Sequence, residues 1–341
     1  MERKRDLRYD FIRVIAMGAV IFIHVSDGIE MQQSLNSQII KEVVESLVLL
    51  CNPLFFMISG HFNLHFKGTS RSDYKRYYLK KLFNVVIPLV IYQFMFYCFT
   101  NYLTHQQMGI KLWGWRLILD IFQDYTTNYF WFMYPLIAYL IAAPFLSKML
   151  ENLTDKEETI FTWVLIIVQT SGWLLKLINI NWGLISFPFS NWLIYFLLGR
   201  LLEKKWNVIP CMESGLIIGM VVVINVILTV IFPQSKGWGL HDLSPMYLLL
   251  AVVVYQGILR STLCKKMSNS KLVVFLAHYS YGVYLGHGIV LLLITPYLRF
   301  SSGILSIIVT FFVAYLISVM FAILIDSLII KQEKRILLRK F

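Results

Sequence analysis

The chain alternates long apolar runs with short polar segments that are rich in basic residues. An apolar run of about 20 residues is long enough to cross a bilayer as an α-helix. We find ten such runs, and they predict an all-α, polytopic membrane protein built as a bundle of about ten transmembrane helices. The predicted spans are 10–30, 43–65, 82–103, 129–149, 158–178, 185–203, 212–232, 243–260, 273–297 and 303–329, in a single domain over residues 1–341.

The distribution of basic residues predicts the orientation of these helices. If the N-terminus is cytoplasmic, 24 lysines and arginines lie on the inside and six on the outside, while Arg13 lies within the first span. Basic residues concentrate in cytoplasmic loops, so we expect both termini to be cytoplasmic. The same asymmetry explains most of the net charge of +12, and nucleic-acid binding is therefore not expected.

Composition and motifs narrow the class further. The chain is 58% hydrophobic and only 15% charged, which excludes an ordinary soluble domain. Its four cysteines have no paired spacing, and no zinc-hydrolase or nucleotide-hydrolase motif is present. We therefore expect neither a disulfide framework nor a metal. Because the first apolar run contains Arg13 and His24 and has no small-residue cleavage site, we expect a retained helix rather than a signal peptide.

The stretch LRYDFIRVIAMGAVIFIHVSDGI, residues 7–29, which contains most of the first span, carries the most informative polar residues. Arg13 and His24 are eleven residues apart, which places both on one helix face about 16 Å apart along the axis. Ionisable residues at bilayer depth are costly and indicate function. Asp10 and Asp27 lie three residues from Arg13 and His24, respectively. Two structural alternatives stay open: Arg13 as an interfacial residue paired with Asp10, and His24 as a hydrogen-bonded interior histidine.

Further histidines lie near the ends of two other spans. The second span ends in CNPLFFMISGHFNLHF, which places His61 and His65 towards the cytoplasm. His61 is a candidate for a polar cavity or, equally, a packed histidine, and His65 is expected at the interface. His287, in the ninth span, is a candidate for the site or for helix packing.

The densest basic segment, KGTSRSDYKRYYLKKLFNVVIP, follows the second span, and we interpret it as a loop. Arg76, Lys80 and Lys81 lie within it. This segment is suited to binding phosphate groups, although topology and attraction to anionic lipid headgroups explain it equally well.

Several of these residues form a pattern that resembles the acyltransferase-3 family of membrane acyltransferases. The matching features are the start RYDFIRVIAM with Arg13 and His24, the FFMISG sequence, Lys75-Arg76 before IP, Trp131-Phe132, and SYGVYLGH ending at His287. The resemblance extends over nearly the whole chain, and the arginine–histidine pair is its most specific part. Many relatives have a histidine before the Trp-Phe pair, where this chain has Phe130, and His61 stands where an apolar or aromatic residue is commoner.

The resemblance implies transfer of an acyl group, usually acetyl, from cytoplasmic acyl-CoA to a hydroxyl of a cell-surface or lipid-linked carbohydrate. It further implies a multi-pass protein of the bacterial inner (cytoplasmic) membrane and a role for Arg13 and His24 as the functional pair. Acetyl-CoA is then the donor co-substrate, without a metal, and acyl-CoA, a glycan acceptor and membrane lipid are the expected partners.

The residues and the resemblance together give one specific hypothesis. Arg13 and the basic segment hold the CoA phosphates, the pantetheine arm extends along the cavity, and His24 acts as general base. The full set of candidates is His24, Asp27 and His287 for catalysis, and Arg13, His61, Arg76, Lys80 and Lys81 for the donor. A covalent acyl-histidine relay, a glycan carrier or flippase, and a module for small-metabolite uptake or sensing remain open alternatives.

Overall fold

The computed structural model describes residues 6–27, 35–103, 129–177, 192–205, 211–231, 244–298 and 304–330. Within these ranges the chain is helical and contains no strand. The α-helices are α1 Arg8–Asp27, α2 Leu35–Val48, α3 Cys51–Asn63, α4 Arg71–Lys81, α5 Ile87–Leu103, α6 Met133–Asn152, α7 Asp155–Leu177, α8 Leu193–Lys205, α9 Cys211–Ile231, α10 Pro245–Arg260, α11 Thr262–Ser268, α12 Lys271–Ile294 and α13 Ile304–Ile325. Two π-helical segments, Leu82–Val86 and Asp326–Ile330, continue α4 into α5 and extend α13.

Many of these helices are long and apolar enough to cross a membrane. Among the described residues, seven segments meet this condition, or eight if the bent pair formed by α10 and α11 is one span. They are Arg8–Ser26, Val43–Asn63, Arg71–Thr100, Met133–Asn152, Asp155–Leu175, Lys271–Ile294 and Leu305–Ile329. The prediction of a polytopic helical membrane protein is therefore confirmed, whereas the count of about ten and the cytoplasmic termini stay predictions.

The basic segment after the second span is a helix and not the predicted loop. Ser70 accepts a hydrogen bond from the Asp73 amide at 3.2 Å, and the Asp73 side chain accepts one from the Ser70 amide at 3.1 Å. This capping box satisfies backbone amides that would otherwise lack a partner at the start of α4. The helix can therefore begin eleven residues before the predicted apolar span at residue 82.

A proline explains why the second predicted span is broken into α2 and α3. Pro53 has no amide hydrogen, so it cannot donate to the Leu49 carbonyl one turn earlier. The Tyr247 hydroxyl donates to that carbonyl instead. Leu49 and Leu50 form the turn between the two helices, and the lost backbone bond is replaced by a contact from α10.

A second proline lies inside α6 without ending the helix. Pro144 leaves the Leu140 carbonyl without its usual helical donor. Tyr77 of α4 donates to that carbonyl at 2.9 Å, and Tyr78 donates to the next one, Ile141, at 3.0 Å. The two tyrosine hydroxyls thus donate to carbonyls beside the proline. Apolar neighbours alone would leave these carbonyls without a donor inside the bilayer.

The chain separates into two compact units, residues 1–67 with 143–277 and residues 68–142 with 278–341. In the first unit, α1 packs against α2, α3, α10 and α11, and α3 packs along α8. In the second unit, α4 and α5 are joined through the first π-helical segment. The single domain over residues 1–341 stays a prediction.

Two glycines bring α3 and α8 into close contact in the first unit. A Cβ atom at Gly60 would overlap the Phe196 carbonyl oxygen, and one at Gly199 would overlap the Met57 carbonyl oxygen. Small residues allow helix backbones in a membrane to approach this closely. The side chains of Met57 and Phe196 are fully buried beside this contact. Residues that flank the two glycines are therefore held in a fixed register across the helix pair.

Candidate functional site

Arg13 lies on α1 in direct contact with an acidic and an aromatic side chain. Its Nη1 atom donates to Asp10 Oδ1 at 2.9 Å, and the guanidinium carbon lies 4.9 Å from the centre of the Phe62 ring. The Asp10 side chain is only 2% exposed, whereas that of Arg13 is 30% exposed. The pairing considered from sequence is thus present, and it leaves part of the arginine accessible.

His24 lies three turns after Arg13 on the same unbroken helix. Its side chain is half-buried, while the neighbouring Val25 and Ser26 are buried. The backbone of Asp27 ends α1, but the side chain of Asp27 lies outside the described residues. Its predicted role in orienting the His24 ring therefore stays a prediction.

The start of α1 is fixed by hydrogen bonds from Arg8. This side chain donates to Asp6 at 3.0 and 2.6 Å and also to the Leu259 carbonyl near the end of α10. The hydrogen bonds from Arg8 keep the pKa of the Asp6 carboxyl below its usual range. Asp6 therefore carries a negative charge at neutral pH.

His61 has a partner that sequence spacing did not identify. Its ring stacks on Tyr9 with centres 3.9 Å apart, and its Nδ1 atom contacts Oε1 of Glu203 from α8. His65 Nε2 lies 3.2 Å from the same oxygen. The three side chains form a compact polar cluster, and Glu203, absent from the sequence-based candidates, is its centre.

A buried arginine fixes the chain beside this cluster. Arg200 is 5% exposed and donates to the carbonyls of Leu64 and Ser147, the latter at 3.3 Å. The Ser147 hydroxyl in turn accepts from the Phe66 amide at 3.2 Å. These bonds satisfy the end of α3 and order the residues on either side of His65.

In the second unit, the three basic donor candidates do not share one surface. Arg76 and Lys80 are exposed and lie one turn apart on α4, so they form one basic face. Lys81 is half-buried, with Nζ 5.2 Å from the centre of the Tyr77 ring. Arg76 and Lys80 are thus available to a phosphate together, and Lys81 points elsewhere.

Lys81 lies at an apolar cavity of about 390 Å³ in the second unit. Lys75 is the other basic residue there, and the remaining lining is mostly aliphatic. The lining residues are Lys75, Tyr78, Leu79, Lys81, Leu82, Val85, Val86, Ile137, Leu140 and Ile141. A cavity with amines among apolar side chains suits a molecule that carries both an acidic group and a hydrocarbon part.

His287 is enclosed by aromatic side chains of the second unit. It is 1% exposed, and its ring centre lies 5.4 Å from that of Tyr129 and 5.7 Å from that of Tyr284. Its Nδ1 atom is 2.5 Å from the Tyr284 carbonyl oxygen. Because a carbonyl can only accept, Nδ1 carries the hydrogen, and the ring is held in one tautomer. The helix-packing alternative accounts for this burial, and a catalytic role stays a prediction.

Phe130 occupies the position where the resemblance noted from the sequence implies a histidine. The side chain is 2% exposed and meets Phe96 edge to face, with ring centres 5.8 Å apart. Trp131 and Phe132 follow it, and Phe132 is buried against Tyr284. This position therefore contributes to an aromatic core and supplies no titratable group.

Comparison with protein families agrees with the pattern seen along the chain. The sequence model of an acyltransferase domain, that of the acyltransferase-3 family, matches residues 6–325. No curated protein and no solved structure matches the chain. The family match includes α1 with Arg13 and His24 as well as the basic helix α4, and it confirms the resemblance noted from the sequence. Together with its apolar helices, the match shows that the chain belongs to the acyltransferase-3 family and is a multi-pass membrane acyltransferase.

Proposed function

We propose that this protein transfers an acyl group, acetyl in the first instance, from cytoplasmic acyl-CoA to a hydroxyl of a cell-surface or lipid-linked carbohydrate in the bacterial inner membrane. The observation that carries this proposal is the unbroken helix α1 with a partly exposed Arg13 and a half-buried His24. One rigid helix fixes the two groups about 16 Å apart along its axis. That separation is comparable to the length of the pantetheine arm of CoA.

Arg13 is suited to bind the acyl-CoA donor because of its guanidinium group and because neighbouring side chains hold that group in place. A guanidinium group binds phosphate oxygens through two parallel hydrogen bonds, and Asp10 holds this group in place at 2.9 Å. The Phe62 ring beneath it supports the same orientation. A pre-positioned cation loses less conformational entropy when a phosphate binds.

The exposed face of α4 provides further basic residues for CoA phosphates. Arg76 and Lys80 present two cationic side chains one turn apart, and Lys81 contributes an amine at the edge of the apolar cavity. We assign Arg76 and Lys80 to the donor phosphates. His61 is already stacked on Tyr9 and in contact with Glu203, so its predicted role in donor binding has the weakest support of this group.

His24 is the proposed general base. Its neutral imidazole removes the proton of the acceptor hydroxyl while the hydroxyl oxygen attacks the thioester carbonyl carbon. Collapse of the tetrahedral intermediate breaks the carbon–sulfur bond, the acyl group remains on the acceptor oxygen, and protonated His24 gives its proton to the CoA thiolate. Asp27 orients His24, and His287 is a second catalytic histidine in this proposal.

The proposal is tested by separating donor binding from transfer. Arg13→Ala is expected to weaken equilibrium binding of acetyl-CoA to the purified full-length protein. His24→Gln is expected to bind acetyl-CoA normally but to lower acetylation of surface carbohydrate by about 10²–10⁴-fold. Acetylation is measured by mass spectrometry of glycans from cells that express each variant.

His278→Ala is the matched control, because His278 is exposed and is not among the proposed site residues. Near-normal acetylation by His24→Gln would refute the base assignment. If the folded wild-type protein bound none of several acyl-CoAs, the proposal would fail in favour of a glycan carrier.

A further inference from the structure

The cluster of His61, His65 and Glu203 has the composition and spacing of a metal site. We propose that these three side chains bind one divalent transition-metal ion, with zinc as the best match. Their ligand atoms all lie within 4.8 Å of one another. The cluster shares His61 with the predicted donor residues and gives it a different role, and this inference does not depend on the acyl-transfer proposal.

The donor atoms determine which metal fits. Two imidazole nitrogens and one carboxylate oxygen are a common ligand set for zinc, with a fourth position open to water. Calcium and magnesium prefer oxygen ligands and are poorly matched to two histidines. The cluster therefore favours a borderline transition metal over a hard alkaline-earth ion.

The separation of His65 and Glu203 is consistent with this ligand set. Two ligands that share a tetrahedral zinc ion at about 2.1 Å are separated by about 3.4 Å. His65 Nε2 and Glu203 Oε1 are 3.2 Å apart, and His61 Nδ1 also contacts Oε1 of Glu203. His61 Nδ1 and Glu203 Oε1 lie closer together than two ligands of one zinc ion, so these side chains would move apart to admit the ion.

The fold brings these ligands together without help from an ion. Gly60 precedes His61 by one residue, and Gly199 precedes Glu203 by one helical turn, so the close contact of α3 and α8 sets the ligands side by side. Tyr9 stacks on His61 at 3.9 Å and limits its rotation. A ligand group that is already ordered binds a metal with a smaller entropic loss.

Neighbouring charges favour a cation at this position. Glu203 supplies a negative ligand, and one of its oxygens faces both imidazoles. Arg200 lies three residues before Glu203 on α8, but its hydrogen bonds run to the Leu64 and Ser147 carbonyls. A divalent ion would link α3, the segment after it and α8, and so hold these three parts of the first unit together.

Zinc binding by the purified full-length chain tests the proposal. Protein without a polyhistidine tag is stripped with a chelator, equilibrated with buffered zinc, and analysed for bound metal. We expect one zinc ion per chain, a rise in the thermal unfolding temperature with zinc, and a cobalt absorption spectrum typical of four-coordinate nitrogen and oxygen ligands. Wild-type protein that takes up no zinc at micromolar free concentration would overturn the proposal.

Variants of the ligands distinguish this site from adventitious binding. His65→Ala and Glu203→Gln leave the Tyr9–His61 stack intact, and each is expected to weaken zinc affinity by at least about tenfold, because even outer-sphere partners are worth that much. His65→Asn serves as a smaller change if His65→Ala folds poorly. His278→Ala should bind zinc like the wild type, whereas equal loss in this variant, or no loss in Glu203→Gln, would contradict the assignment.

Discussion

At the scale of single residues, Arg13 has two roles: it pairs with a buried carboxylate, and it is proposed to bind the acyl-CoA donor. Its guanidinium pairs with Asp10, whose side chain is 2% exposed, and it lies over the Phe62 ring. A buried carboxylate is expensive without a cationic partner. Loss of activity after a change at Arg13 therefore has two origins, which single substitutions do not separate.

A double substitution separates these two origins. Arg13→Ala is expected to lower the free energy of unfolding by about 1–3 kcal/mol, less than the cost for a fully buried pair because the arginine is partly exposed. Asp10→Asn in the same protein removes the buried charge and should restore part of this stability. Acetyl-CoA binding should stay weak in both variants, as measured by titration alongside thermal unfolding.

If the double variant recovered acetyl-CoA binding along with stability, Arg13 would have only a structural role. Additive destabilisation by the two changes would show instead that the Arg13–Asp10 pair contributes nothing to folding.

Residue spacing alone predicted the contact between Asp10 and Arg13. It missed the contact of Glu203 with His61 and His65, for a physical reason. Asp10 and Arg13 are three residues apart on a helix, so their contact follows from local geometry. Glu203 meets His65 from a position 138 residues later in the chain. That contact depends on how α3 packs against α8, which the hydrophobic pattern of either helix leaves open.

At the scale of helices, the close contact of α3 and α8 depends on glycine. Gly199→Ala would place a methyl group against the Met57 carbonyl and the His61 amide, both backbone atoms that cannot rotate away. We expect the helices to separate, at a cost of about 1–3 kcal/mol or more. The observable is a lower thermal unfolding temperature, or a loss of monodisperse protein in size-exclusion chromatography.

Gly257→Ala is the matched control for this prediction. Gly257 lies within α10, and a Cβ atom there would meet nothing within 4 Å. Since alanine favours helix more than glycine, this variant should be as stable as the wild type or slightly more stable. Comparable destabilisation by both changes would contradict the packing argument.

The basic face of α4 carries the next prediction. Arg76→Ala combined with Lys80→Ala removes two exposed cations and should weaken acetyl-CoA binding, most strongly at low salt, where charge attraction is least screened. Titration of the purified protein at two salt concentrations measures this effect. The control is the exposed pair Lys265 and Lys266 on α11, whose replacement by alanine removes the same total charge.

Equal weakening by the two pairs would indicate a general electrostatic effect and not a phosphate site on α4. An unchanged affinity in the Arg76/Lys80 variant would remove α4 from the donor site altogether.

Sequence predicted the presence of helices better than their ends. Each predicted span overlaps a described helix because about 20 apolar residues in a bilayer have few alternatives to helical structure. The observed helix ends differ from the predicted ones where polar side chains or a proline determine where a helix begins or breaks. Ser70 and Asp73 start α4 well before the apolar run, and Pro53 divides the second span into two helices.

At the scale of the whole molecule, the open prediction is the orientation in the membrane. The excess of basic residues predicts that the connection before α12 lies in the cytoplasm and the connection after it lies outside. Ser270 and Tyr297 are exposed positions just beyond the two ends of α12, and Tyr297 is 84% exposed. This helix has 24 residues and a length of about 36 Å, enough to cross the apolar core.

Cysteine labelling across this helix tests the orientation. In a background without the four native cysteines, Tyr297→Cys should react with a membrane-impermeant maleimide added to intact spheroplasts. Ser270→Cys should react only after the membrane is opened or inverted. The opposite pattern would reverse the whole topology, and it would also place the basic face of α4 on the side that lacks acyl-CoA. Labelling of both positions from one side would show that α12 does not cross the membrane, despite its length and apolar composition.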